Sequence, residues 1–174
     1  HGYHQAQVSK IAKKAGVADG TIYLYFKNKE DILISLFEEK MGEFVERIEE
    51  GTMQVPTASE KLSVLVRKHF EILAGDPYLA IVTQLELRQS NKELRMKINK
   101  VLKGYLALVD SILKEGMANG EFNPDLNYKL ARQMIFGTID EIVTSWVMKE
   151  QKYDLMVLEK EVHNLLLSGL TNRK

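Results

Sequence analysis

Residues 16–33, GVADGTIYLYFKNKEDIL, place two tyrosines and a phenylalanine within four positions (Tyr23, Tyr25 and Phe26), just after an Asp-Gly break and just before a lysine-flanked turn. Successive helical residues are rotated by about 100°, so three aromatics this close cannot share one face. At least one is directed to the surface, and an exposed aromatic beside lysines calls for a partner. The flanking sequence says which. Gln7 to Ala15 reads as a short helix with Val8, Ile11 and Ala12 inward and Gly16 as its C-terminal cap, and Ala18 to Phe26 reads as a second short helix. Two short helices joined by a glycine-containing turn, the second ending in exposed aromatics, form a helix-turn-helix pattern. Ala18-Asp19-Gly20-Thr21 is small enough for the start of the second helix to approach a duplex in its major groove. Tyr23 and Tyr25 diverge by about 200°, so at least one hydroxyl reaches phosphate or base edge while Ile22 and Phe26 pack inward. Lys29, opening the next helix, is placed against backbone phosphate.

Charge is distributed in the same sense. The 174 residues carry 24 basic and 24 acidic side chains, a net charge of zero. Residues 1–29, however, hold Lys10, Lys13, Lys14, Lys27 and Lys29 against Asp19 alone, so this segment is +4 and the remainder −4. A basic end meeting phosphates and an acidic body with another task is the implied division, although Lys10, Lys13 and Lys14 also suit a plain solvated face. With no cysteine the chain has no disulfide, thiolate nucleophile or sulfur-ligated metal. No apolar run approaches 18 residues and no secretory leader is visible, so a cytoplasmic protein without a membrane partner is expected. Neither a nucleophile elbow nor a metal-spaced His/Asp/Glu set is present, and Asp140 and Glu141, adjacent on a helix, cannot share one reacting atom. Catalytic and metal-binding residues are therefore not expected.

Beyond the motif the chain reads as all-α. Asn28 caps a long helix carrying Ile32, Leu33, Leu36, Phe37, Met41, Phe44, Val45 and Ile48 at helical spacing, and periodicity is lost from Gly51 to Pro56. That loss divides the chain into residues 1–50, the helix-turn-helix unit with its connecting helix, and residues 51–174. Thr57 and Glu60 form a capping box; Asp76-Pro77 starts a helix predicted to end near Gln89; Ser90 and Glu93 form a second box before a helix of about 28 residues closed by Asn119-Gly120. A helix from Asn123-Pro124-Asp125 to about Lys149 and a last one from Asp154 to about Ser168 carry apolar residues around most of their circumference. Val143, Trp146, Leu155, Leu158, Val162 and Leu165 are accordingly read as burying against a second copy of the chain, a homodimer. His69, on an apolar face, reads as a satisfied core histidine.

GYHQAQVSKIAKKAGVADGTIYLYFKNKEDIL resembles the N-terminal DNA-binding motif of the tetracycline-repressor (TetR) family, in which a G-Y start, an I-A-x-x-A-G-V segment and a T-I-Y-x-Y-F-x-x-K-E segment keep fixed distances. The resemblance implies a TetR-type repressor fold, operator double-stranded DNA as partner, and DNA contacts at Gly20, Thr21, Tyr23, Tyr25 and Lys29, with Ser9 and Asp19 beside them. Alanine stands at position 18 where the family often has serine. In the family a first helix precedes the G-Y start, so a preceding segment is implied as well.

The body shares the likeness. IVTQLELRQSN, NKVLKGYL, ARQMIFGTIDE and TSWVMKEQKYDL are similar to the branch of the family that represses fatty-acid degradation and is released by long-chain acyl-CoA. That resemblance implies acyl-CoA as an effector, not a cofactor. Phe70, Leu73, Ile81, Leu85, Val101 and Tyr105 are candidates for an alkyl tunnel, as are Leu108, Met134 and Phe136, although periodicity alone reads all of them as core. Arg88, Arg95 and Arg132 are candidates for the phosphates of coenzyme A, since a guanidinium binds phosphate through two parallel hydrogen bonds. A repressor answering to a drug or another lipophile, and a small helical acyl-CoA hydrolase, are the competing readings.

Overall fold

A computed structural model describes residues 2–86 and 92–171, and every regular element among them is helical. In chain order these are α1 (Gly2–Gln5), α2 (Val8–Ala15), α3 (Asp19–Tyr25), α4 (Lys29–Met53), α5 (Ala58–Gly75), α6 (Pro77–Ile81) and a π-helical stretch (Val82–Glu86). There follow α7 (Lys92–Ala118), α8 (Tyr128–Met148), a 3-10 turn (Leu155–Leu158) and α9 (Glu159–Leu170).

Local capping chemistry sets most boundaries. Gly16 closes α2 in the left-handed conformation at φ 73°, where a side chain would be strained. The Asn28 side chain accepts from Asp31 N at 2.8 Å, and Thr57 and Glu60 make the reciprocal pair expected of them. Asp76 accepts from Leu79 N at 2.9 Å with Pro77 in the first turn of α6. Three boundaries differ from the sequence reading. First, α4 runs on to Met53, because Gly51 is a crossing point and not a stop: a Cβ there would lie 2.8 Å from Val64 of α5. Second, the helix predicted to reach Gln89 turns π-helical at Val82, where the Thr83 hydroxyl donates to the Leu79 and Ala80 carbonyls and competes with the regular ladder. Third, α8 begins at Tyr128 with Asn127 as its cap, while Asn123 only folds its own turn through Asp125 N. Ser90, of the second capping box, lies outside the described residues.

Two apolar clusters hold the helices together. The larger joins the C-terminal half of α4 to α5, α7, α8 and α9 around Phe70, Leu65, Leu113, Ile135 and Ile139. The smaller joins Leu33, Ile34 and Phe37 of α4 to Leu94 of α7, with Tyr3, Val82 and Ile98 packed against them. This second cluster connects the helix-turn-helix unit to the body.

Candidate nucleic-acid interface and effector cavity

α2 and α3 pack on one another with little buried surface: Ala12 is the buried residue of α2, and α3 has none. Ile22 and Phe26 turn inward and are half-buried. The outward face carries Tyr23, Leu24 and Tyr25 at 56%, 81% and 76% exposure. Both tyrosines are thus open to a duplex, and Leu24 between them is the most exposed of the three. Ser9, Asp19 and Gly20 are exposed and Thr21 is half-buried. A Cβ on Gly20 would meet nothing within 4 Å, so internal packing places no demand for glycine there. Lys29 is held differently. Its ammonium donates to the Ala6 carbonyl at 3.2 Å and sits 4.5 Å from the centre of the Tyr3 ring, tying the start of α4 to α1.

Beneath this unit lies a cavity of about 330 Å³. Phe37, Met41 and Phe44 of α4, His69 and Leu73 of α5, Leu79 of α6, and Ile98, Leu102 and Tyr105 of α7 supply most of its wall, with Phe136 of α8. Thr83 and Gln84 of the π-helical stretch, Asp140, Asn99, Arg95 and Lys40 add polar groups. Leu73, Tyr105, Phe136 and Arg95 from the sequence reading therefore meet here. The other candidates lie elsewhere: Phe70 is fully buried in the main core, Ile81, Leu85 and Leu108 pack against that core, and Val101 packs against the small cluster. Met134 is 37% exposed. Arg132 is ion-paired to Asp110 at 2.8 Å, which gives its guanidinium an internal partner. Arg88 lies outside the described residues. The α4 residues escaped notice because 37, 41 and 44 share one stripe that also reads as ordinary packing; 98, 102 and 105 repeat that spacing on α7 and point to a shared wall.

The polar groups in the wall are mostly matched internally. His69 Nδ1 and the Tyr105 hydroxyl lie 3.0 Å apart, and the imidazole stands edge-on to Phe44 with ring centres 4.9 Å apart. Burial pushes the His69 pKa down to about 3, so the ring is neutral, as expected of a core histidine. Burial, and then the charge of Asp140, pushes the Tyr105 hydroxyl above its ordinary range. Gln84 accepts from Thr144 at 2.8 Å, and Lys40 is bonded to Glu43 at 2.9 Å. A largely apolar wall with Lys40 and Arg95 among its few polar groups suits an alkyl chain bearing an anionic head. No group of three or more His, Asp or Glu able to hold a metal occurs among the described residues.

Residues 1–36 match the family model for bacterial regulatory proteins of the tetR family, and residues 37–169 match the model described as YsiA-like protein, C-terminal region. The chain belongs to the TetR family. Within it, the chain is 67% identical over 173 residues to the fatty acid metabolism regulator protein of Bacillus subtilis, a match spanning 99% of this chain and 89% of that one. It superposes with a TM-score of 0.94 on the transcriptional regulator FadR from Bacillus subtilis in complex with stearoyl-CoA, at 68% identity over 97% of this chain and 91% of that one. The fatty acid degradation regulator FadR from Bacillus halodurans gives the same TM-score at 66% identity, over 98% and 91% of the two chains. This TetR-family chain has, among its described residues, no helix long and apolar enough to cross a membrane.

On the last helices, Val143, Trp146, Leu155 and Val162 are buried within the protomer's own core. α8 packs against α5, α6, α7, α9 and the π-helical stretch, which accounts for the burial of Val143 and Trp146 within the protomer. Leu165 remains 67% exposed beside Val157 at 68%, and Leu158 is half-buried.

Proposed function

We propose that this protein is a cytoplasmic, homodimeric repressor of fatty-acid degradation genes that leaves its operator when long-chain acyl-CoA fills the cavity. Residues 1–50 form the DNA-reading head with its connecting helix, and residues 51–174 form the effector and dimerisation body. The high identity to regulators of fatty acid metabolism supports the gene class, and the relative holding stearoyl-CoA supports the ligand. The observation that carries the mechanism is the position of the cavity. Phe37, Met41, Ile98 and Leu102 belong both to its wall and to the small cluster that anchors the head. An alkyl chain entering there must displace side chains on which the first turns of α4 rest, and α4 leads directly back to α3. Arg95 and Lys40, which line the same cavity, supply the cations for the phosphates of the headgroup in this reading. The protein acts by binding, and acyl-CoA leaves unhydrolysed.

Each methylene buried contributes about 0.8 kcal/mol, so four further carbons inside the cavity gain roughly 3 kcal/mol, over a hundredfold in affinity. Acyl-CoAs of increasing length titrated against a preformed operator complex test the proposal. Long chains release the DNA while short chains with the same headgroup do not. Equal potency at all lengths would contradict an alkyl site, and an undisturbed complex at every length would remove acyl-CoA as effector.

A further inference from the structure

On α3 the packed and the open faces can be assigned residue by residue. Ile22 and Phe26, four apart, both turn inward, and Leu24 stands two residues from each, about 200° round the helix and so diametrically outward. Gly20, four residues earlier, lies on the same outward stripe with open space where a side chain would be. Tyr23 and Tyr25 are each about 100° from Leu24 and therefore flank it. The centre of the presented face is thus an aliphatic side chain 81% exposed. Single exposed leucines are ordinary, but this one is framed by two exposed aromatics on a segment of net charge +4 whose Lys10, Lys13, Lys14 and Lys27 are all exposed. Those charges favour a polyanion over an apolar protein face as the occupant.

We infer that Leu24 reads the 5-methyl group of a thymine in the operator major groove. This rests on the DNA-reading assignment above and adds to it the base that the centre of α3 selects. Leucine neither donates nor accepts a hydrogen bond, and a base edge presenting a donor or acceptor to it would lose water without replacement. Among the four bases only thymine offers an apolar group in the major groove. The flanking tyrosine hydroxyls take the hydrogen-bonding contacts, and Leu24 discriminates by methyl contact alone.

The test begins by selecting a preferred operator from random duplexes with the full-length protein. Each thymine is then replaced singly by deoxyuridine, which removes one methyl and keeps every hydrogen-bonding group. Wild type is expected to lose about fourfold in affinity at one thymine in each half-site, the equivalent of one methylene-sized group left in water. Leu24→Ala, a surface change that leaves helix content intact, should bind the thymine operator more weakly and be indifferent to the same replacement. Tyr23→Ala should keep the sensitivity. In a fresh selection Leu24→Gln should move the preferred base at that position from thymine to adenine. Wild-type indifference to every deoxyuridine, undiminished sensitivity in Leu24→Ala, or an unchanged base preference in Leu24→Gln would each overturn the inference while leaving the head as a DNA reader. A selection that enriches no duplex would overturn the DNA-reading assignment itself.

Discussion

Within α2 and α3 together Ala12 alone is buried, whereas α5 by itself buries nine residues from Ala58 to Leu73. Fully burying one leucine- or phenylalanine-sized side chain contributes about 1.5–3 kcal/mol, so the body is held by its own core and the head is not. The head meets the body at the small cluster of Leu33, Ile34, Phe37 and Leu94, and the Lys29 tie to Ala6 and Tyr3 fixes α1 to the start of α4 within the head. Among the described residues, the cluster that joins the head to the body shares Phe37, Met41, Ile98 and Leu102 with the cavity wall. The contrast between a body with its own core and a head with almost none is the physical basis of the proposed switch.

A matched pair of glycine substitutions separates the two regions most strongly. The Phe122 ring, 1% exposed, lies directly against Gly116 of α7, so Gly116→Ala must move a buried ring and should cost about 1–3 kcal/mol in urea unfolding despite alanine's better helix propensity. Gly20→Ala meets open space, so stability should hold or rise by up to about 1 kcal/mol while operator affinity falls. Similar stability losses at both sites would dissolve the contrast.

A pH-dependent effect concerns acid. The folded pKa of His69 is lowered to about 3, below the ordinary 6.5, so the unfolded chain takes up this proton first. The contribution is complete above pH 6.5 and is lost as pH falls from 6.5 towards 3. Body stability should decline by up to about 1.4 kcal/mol per pH unit in that window, and His69→Phe should flatten the slope. An identical slope in the variant would show that other groups control acid unfolding.

Smallest is the tie at the head. Lys29→Ala should loosen the α1–α4 junction by about 0.5–1 kcal/mol, read as faster amide exchange in α1 and in the first turn of α4. If Lys29 also meets phosphate, the dependence of operator binding on salt falls by about one contact; an unchanged salt slope marks it as a strut only.

What could be read from the sequence was what is local in the chain. Asn28, the Thr57–Glu60 box and Asp76-Pro77 act within four residues, and the helix-turn-helix pattern lies within one short segment, so spacing alone reveals them. Leu24 was equally accessible by counting angles from Ile22, but the aromatics beside it drew the reading. The cavity was not accessible, because its contacts join distant residues: His69 to Tyr105 across 36 positions, and Gln84 to Thr144 across 60. Nor does periodicity distinguish Phe70, packed in the core, from Leu73, three residues on and facing the cavity. Glu121 capping α5 through Ala58 N at 3.0 Å and Ser59 N at 2.9 Å is likewise a tertiary contact with no local mark.

The coupling of cavity to head is tested most directly by reciprocity. Calorimetric titration of a long-chain acyl-CoA into the free protein and into its operator complex gives two affinities. Thermodynamic linkage requires the operator to weaken acyl-CoA binding by the same factor as acyl-CoA weakens operator binding. Two equal factors, each well above one, are expected; an acyl-CoA affinity unchanged by bound operator would show that cavity and head are uncoupled.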